Sequence, residues 1–187
     1  MTRWACLVLL FVGSTWAQSP KEQPKPAEPE KGTEVTIAGL KSTAPPTWMS
    51  QKPANRLRLF QFKLPKATDD KEDAELFALE MHGKPADNLS RLKELFVLPA
   101  DVAREKVVKE TKLELKGAAL TVLDIQGTYL VKTKPIDQAV KETRPDYRMI
   151  AVLWESKEGG YTIRLIGPRK TIERHAASFV DWLKNFK

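Results

Sequence analysis

Two histidines, His82 and His175, are the side chains of this 187-residue chain best suited to exchange protons near neutral pH. His82 follows an apolar run and precedes a glycine, whereas His175 lies on the edge of the apolar stripe of a C-terminal helix. They are far apart in sequence, and neither belongs to a local catalytic motif. We therefore expect two surface or boundary histidines. A hydrolase that pairs His82 with converging carboxylates is the enzymatic alternative.

Other catalytic and cofactor motifs are missing from the sequence. No serine has the G-x-S-x-G frame of a nucleophile elbow, and neither a P-loop nor a G-x-G-x-x-G fingerprint is present. A zinc site built from Cys and His takes four ligands, and the chain has one cysteine and two histidines. We expect no catalytic residue, no cofactor and no metal.

The densest run of charge is the acidic turn, which we define as residues 69–75 and which carries Asp69, Asp70, Glu72, Asp73 and Glu75. Carboxylates at such spacing can bind calcium, but the run has neither a central glycine nor the spacing of an EF-hand. The sequence favours a solvated turn, and calcium binding is the alternative.

Basic residues outnumber acidic ones by seven, and they occur in blocks. Residues 33–67 carry an excess of five basic residues, 68–80 an excess of five acidic residues, and 164–187 an excess of four basic residues. Nucleic-acid binding would favour a continuous basic stripe, so we expect no nucleic acid. An anionic lipid or polysaccharide is a better candidate polyanion. The residues that could meet to bind it are Arg56, Arg58, Arg164, Arg169, Lys170 and Arg174.

The first 32 residues predict export. Residues 1–17 combine Arg3, a short apolar core and a small residue at Ala17, which is typical of a cleaved secretory signal peptide. Residues 18–32 are rich in proline, lysine and glutamate and predict a disordered tether. We expect a secreted or periplasmic protein that has no membrane span after cleavage near Ala17. Its single folded domain would be residues 33–187.

Hydrophobic alternation predicts an α+β domain, in which an antiparallel sheet carries packed helices. The last two strands form a hairpin, and Gly127 marks a bulge or bend. Leu57 and Leu59, with Phe60 or Phe62, would form the apolar face of the second strand. Trp48, Trp154 and Trp182 would be structural. The expected strands are 34–40, 56–64, 75–81, 105–115, 120–131, 147–155 and 161–166; the helices run from Asp87 or Asn88 to Phe96 and over 171–186; and 132–145 is a loop.

Several segments resemble a group of secreted bacterial proteins of unknown function that are common in planctomycete-type genomes. The similarity covers most of residues 33–187. The segments that carry it are Trp48, 58–65, 70–75, 88–92, 124–129, 147–151 and 167–168 followed by Phe179.

The order of elements is also similar to the PsbP-like and Mog-like α/β/α sandwich. That resemblance implies a binding or assembly role, because most members of that fold are not enzymes. We therefore expect an exported, non-enzymatic protein that binds a partner protein or an envelope component. A polyanion-binding module and the His82 hydrolase are the alternatives.

Overall fold

The computed structural model describes residues 31–116, 118–132 and 139–187. The predicted signal peptide and all but the last two residues of the predicted tether lie outside the described residues. Three helices and ten strands form the described part. The strands are β1 Glu34–Ile37, β2 Leu40–Thr43, β3 Met49–Gln51, β4 Arg58–Leu64, β5 Ala74–Met81, β6 Phe96–Val97, β7 Val108–Leu115, β8 Ala118–Lys132, β9 Val140–Ser156 and β10 Gly159–Pro168; the helices are α1 Pro85–Lys93, α2 Arg104–Val107 and α3 Arg169–Lys184.

The predicted α+β class is confirmed. An antiparallel sheet has the order β3-β4-β5-β10-β9-β8-β6, and β7 also pairs with β8. β1 and β2 form a separate hairpin, because Ala38 and Gly39 both have positive φ and reverse the chain. The single first strand expected over 34–40 is therefore wrong.

Helix α3 covers one face of the sheet, and we call this face the α3 face. Trp48, Trp154, Trp182 and Phe186 are all buried there, and their rings meet mostly edge to face, with Trp182 and Phe186 centred 5.0 Å apart. The structural role expected for the three tryptophans is confirmed. Such aromatic contacts add to the free energy gained by burying apolar area.

The opposite face, which we call the α1 face, is covered only in part. Leu92 of α1 and Phe96 of β6 pack on Leu123, Leu153 and neighbouring residues of the central strands. Strand alternation fills both faces of β9, because Ile150, Val152 and Trp154 face α3 while Met149, Ala151 and Leu153 face α1.

The expected boundaries of α1 were wrong at both ends. The helix begins at Pro85 after Lys84, since a proline at the first helical position loses no hydrogen bond. Asn88 lies inside the helix, where its side-chain amide donates to the carbonyls of His82 and Lys84. Phe96 belongs to β6, where it pairs with Tyr129.

Residues 140–145 were expected to be loop but form the start of β9. Proline and charge in this segment favoured a loop. In the structure, the pairing of β8 with β9 shifts register at Thr128, and Pro145 lies in β9 at this shift. The next residue, Asp146, has positive φ. A bulge tolerates a proline, which cannot donate to the ladder. The bulge expected at Gly127 is confirmed by the same shift, and Gly127 also permits a close approach of the Val97 carbonyl. Residues 133–138 of the expected loop lie outside the described residues.

Asp70, which is 101 residues away in sequence, accepts a hydrogen bond from a free backbone N–H in the first turn of α3. Pro168 occupies the N-cap position and makes no side-chain cap. One carboxylate oxygen of Asp70 instead accepts hydrogen bonds from the backbone N–H of Thr171, at 2.7 Å, and from its hydroxyl. The acidic turn therefore caps the helix that closes the core.

We predict that Asp70→Ala lowers the free energy of unfolding by about 1–2 kcal/mol, because the N–H of Thr171 loses its acceptor. Urea denaturation followed by circular dichroism measures the change. Asp69→Ala is the matched control, since Asp69 makes only an exposed pair with Lys170, and its loss should be much smaller. Equal losses in the two variants would contradict the capping role.

Candidate functional site

A bulge in β4 decides where Arg58 lies. The pairing of β4 with β5 shifts register between Arg58 and Phe60, so that Leu59 has no partner across the ladder. Phe60 and Phe62 pack on the α3 face, and without the bulge Arg58 would share that face. The extra residue instead turns Arg58 to the α1 face, which is a common use of a bulge beside a binding site.

The apolar face expected for this strand is therefore wrong in part. Leu57 and Leu59 are exposed, at 69% and 43%, whereas Phe62 is buried and Phe60 partly buried. Period-two alternation alone assigns the two leucines to the core, and the bulge reverses that assignment.

The ring of Phe77 lies near two guanidinium groups. Arg58 stacks on the ring with its Cζ 3.8 Å from the ring centre, and the Cζ of Arg164 is 5.9 Å from the same centre. Arg164 lies directly opposite Phe77 in the β5–β10 ladder and opposite Ala151 in the β9–β10 ladder. The small side chain of Ala151 leaves room for Arg164 on this face.

Arg164 has no anionic partner in the described part of the chain. Its Nε is buried without a hydrogen-bond partner, and no carboxylate of the described residues lies within 4.0 Å of its guanidinium. Burial lowers its pKa, although an arginine retains its charge in proteins. Arg58 has one partner, Glu75, at an Nη1–Oε2 distance of 3.3 Å. Of the two cations at this ring, only Arg58 has a carboxylate partner in the described structure.

A second group of polar residues connects the acidic turn to β9. The Tyr147 hydroxyl donates to Glu72, and Arg144 donates to both Glu72 and Tyr147. Arg144 also bonds Glu142 through two nitrogens. The Tyr147 ring stacks on Tyr129 with centres 5.9 Å apart. Burial raises the pKa of both phenols, and the bond to Glu72 raises that of Tyr147 further.

These two groups border one cleft of about 850 Å³ on the uncovered part of the α1 face. Its lining contains neither a histidine nor a serine, threonine or cysteine, so the described cleft holds no His–Ser or His–Cys pair. Its lining has twice as many basic as acidic residues, which suits it to bind an anion. The basic lining residues are Arg58, Lys63, Lys66, Lys71, Lys132 and Arg144; the acidic ones are Glu72, Asp73 and Glu75.

The six basic residues expected to bind a polyanion do not form one group in the structure. Arg58 lines the cleft, and Arg164 lies next to Phe77 of the cleft lining. Arg56 is exposed just before β4. The other three lie on α3 and already have partners. Arg169 pairs with Asp146, Lys170 with Asp69, and Arg174 donates to the Lys66 carbonyl.

The acidic turn is largely exposed, as expected, and its carboxylates also have partners in the structure. Its carboxylates bond side chains or N–H groups on three elements: Lys170 and Thr171 of α3, Tyr147 of β9, and Lys63 and Arg58 of β4. The Lys63 ammonium and the Lys66 N–H hold the pKa of Asp73 below its usual value. Within the described residues, no group of three His, Cys, Asp or Glu side chains is placed to hold a metal ion.

Neither histidine lines the cleft. His82 is exposed after β5, as expected. The expectation for His175 was wrong, because it is only 7% exposed and its Nε2 lies 2.8 Å from the Pro65 carbonyl. His175 therefore joins α3 to the end of β4.

Phe77, Arg144 and Tyr147 belong to the cleft but were not singled out from the sequence. Phe77 is one apolar residue in an alternating strand, and only the bulge in β4 brings Arg58 over it. Arg144 lies in the segment expected to be loop. No local sequence signal distinguishes these residues, because strand pairing assembles the cleft from distant parts of the chain.

No helix of the described residues is long and apolar enough to cross a membrane. No protein-family model matches the chain, and no curated protein matches it significantly. The resemblance to secreted planctomycete-type proteins stays a prediction.

Solved structures that are similar to the chain include these two. One is PA94, a protein of unknown function from Pseudomonas aeruginosa, with 15% identity, a TM-score of 0.44 and coverage of 82% of this chain and 94% of that one. The other is the cyanobacterial PsbP (CyanoP) from Synechocystis sp. PCC 6803, with 13% identity, a TM-score of 0.49 and coverage of 90% and 99%. Neither likeness assigns a role to a residue of the cleft.

We predict that Tyr129 and Tyr147 ionise in the folded protein above the usual phenol pKa of about 10. Folding then favours the protonated phenols, so this stabilisation is complete below pH about 10 and is lost as the pH rises further. Ultraviolet titration of tyrosinate measures the shift, with the urea-unfolded chain as reference. Tyr147→Phe should remove one late-titrating phenol, and an unchanged late phase in this variant would contradict the assignment.

Proposed function

We propose that this chain is an exported, non-enzymatic binding protein, and that the cleft beside Phe77 binds an anionic group of a partner protein or envelope component. Its functional residues would be Arg58, Arg164 and the lysines at the cleft rim. The proposal keeps the role expected from the sequence and narrows the six expected basic residues to two.

The observation that carries the proposal is the pair of cations at Phe77. A charged group removed from water costs several kcal/mol unless an opposite charge compensates for it. The ring face of Phe77 compensates only in part, and Glu75 serves Arg58. An unpaired guanidinium next to a cleft therefore fits a site whose counter-charge arrives with the ligand.

The rim of the cleft would guide such a ligand. Lys66, Lys71 and Lys132 line the cleft, and no carboxylate within the described ranges lies within 4.0 Å of their ammonium groups. A cleft whose rim carries positive charge raises the local concentration of anions, and association with it depends on salt.

The volume of the cleft also supports a compact anionic group. Sites for small molecules commonly enclose about 300–1,000 Å³. The Gln51 and Gln61 amides and the Tyr129 ring lie in the same lining as the basic residues. The lining can therefore contact the uncharged parts of a ligand as well as its anionic group.

We predict that Arg58→Gln weakens retention of the protein on immobilised heparin, used here as a sulfated polysaccharide probe. A charge-assisted contact contributes about 1.5–3 kcal/mol, so the variant should elute at clearly lower salt. Lys157→Gln is the matched control, because it removes the same charge from the exposed β9–β10 turn away from the cleft. Thermal unfolding should show both variants folded.

The comparison between the two variants decides the outcome. If Arg58→Gln and Lys157→Gln elute at the same salt concentration, the interaction depends on net charge alone and the cleft is not the site. If Arg164→Gln behaves like Arg58→Gln, both cations at Phe77 contribute to binding.

A further inference from the structure

The β3–β4 tip, which we define as residues 49–59, concentrates the exposed large apolar side chains of the described structure. Met49, Leu57 and Leu59 are 44%, 69% and 43% exposed, and the other three such residues, Val97, Val140 and Val180, lie on separate elements. The bulge explains Leu59, because the unpaired residue is turned outward. Leu57 and Leu59 lie beside the turn, whereas Met49 pairs with Lys63 farther along the hairpin. The two neighbouring leucines are therefore the apolar side chains of the tip that one surface can contact together.

The same tip carries only positive charge. Residues 35–68 contain six basic residues and no acidic one. Lys52 and Arg56 lie between the apolar residues, and no carboxylate of the described part of the chain lies within 4.0 Å of either side chain. Arg58 follows directly and leads into the cleft. Exposed apolar side chains next to uncompensated positive charge are the combination that favours binding at the interface of an anionic membrane.

The turn that presents Leu57 is fixed by hydrogen bonds. The Asn55 side chain accepts from the Leu57 N–H at 3.0 Å, and its backbone carbonyl accepts from the Arg58 N–H. Gln61, which lines the cleft, accepts from the Ala54 N–H through its side chain. The tip is therefore held in shape beside the cleft, and binding need not order it first.

We propose that the β3–β4 tip docks on an anionic lipid surface, with Leu57 and Leu59 entering the headgroup region and Lys52, Arg56 and Arg58 contacting lipid phosphates. This proposal rests on the proposed function, because Arg58 belongs to the anion-binding cleft. A membrane surface fits this tip, because the tip combines exposed leucines with uncompensated positive charge and has no acidic residue. A protein partner is the other outcome of the test.

The test is flotation of the exported protein with vesicles of phosphatidylcholine, with and without about one third phosphatidylglycerol. We expect binding only to the anionic vesicles, and loss of that binding at high salt. Leu57→Ser should weaken it by at least about fivefold, since an exposed leucine gains from entering the interface. Arg56→Gln should weaken it about fivefold as well.

Two control variants test whether losing an apolar or a charged side chain elsewhere on the surface has the same effect. Val180→Ser removes an exposed apolar residue from α3, and Lys157→Gln removes an exposed charge from the β9–β10 turn. Both should keep the vesicle affinity of the parent protein. Because Leu57 is exposed in a turn, Leu57→Ser should keep the parent's unfolding temperature, so a loss of flotation would not reflect unfolding.

The outcomes separate this inference from the proposed function. If Leu57→Ser and Arg56→Gln bind anionic vesicles as tightly as the controls do, while Arg58→Gln still loses heparin retention, the membrane inference is wrong and the anion-binding cleft stands. If Arg58→Gln also behaves as Lys157→Gln does in both assays, both proposals are wrong. Tight binding to neutral vesicles would likewise overturn the role of the basic tip.

Discussion

The bonds of the acidic turn hold together the elements that form the cleft. Asp70 caps α3, Glu72 bonds Tyr147 and Arg144 on β9, and Asp73 and Glu75 bond basic residues of β4. Each exposed pair alone contributes little. Together they fix a short connection against a helix and two strands that are distant in sequence. The basic cleft therefore depends on an acidic segment that is itself almost fully engaged.

The α1 face divides into a packed half and an open half. Leu92 and Phe96 pack on the half near β8. Towards β4 the same face carries Arg58 and Arg164 around Phe77, and no helix in the described structure covers them. An apolar residue in place of Arg164 would extend the core, so the guanidinium lowers the stability there, and the proposed anion binding would give it a function.

The sequence was sufficient to predict the α+β class, because alternation in β5 and β10 and the spacing of α3 are strong local signals. The predictions from the sequence failed where one extra residue shifts the pairing register between two strands. The β4 bulge reversed the roles of Leu57 and Leu59, and the bulge at Pro145 turned an expected loop into strand. The basic residues of α3 were expected to bind a polyanion, yet partners such as Asp146 come from another element and are not visible in a linear charge map.

The two arginines that line the cleft differ in how freely they can exchange partners. Arg144 bonds two glutamates and a tyrosine, and its loss would release the acidic turn from β9. Arg58 has a single carboxylate partner at 3.3 Å, and Glu75 is 47% exposed on its side chain. Such a pair is weak and open to competition. Under the proposed function, an incoming anion would replace Glu75 at Arg58, while the bonds of Arg144 keep the wall of the cleft in place.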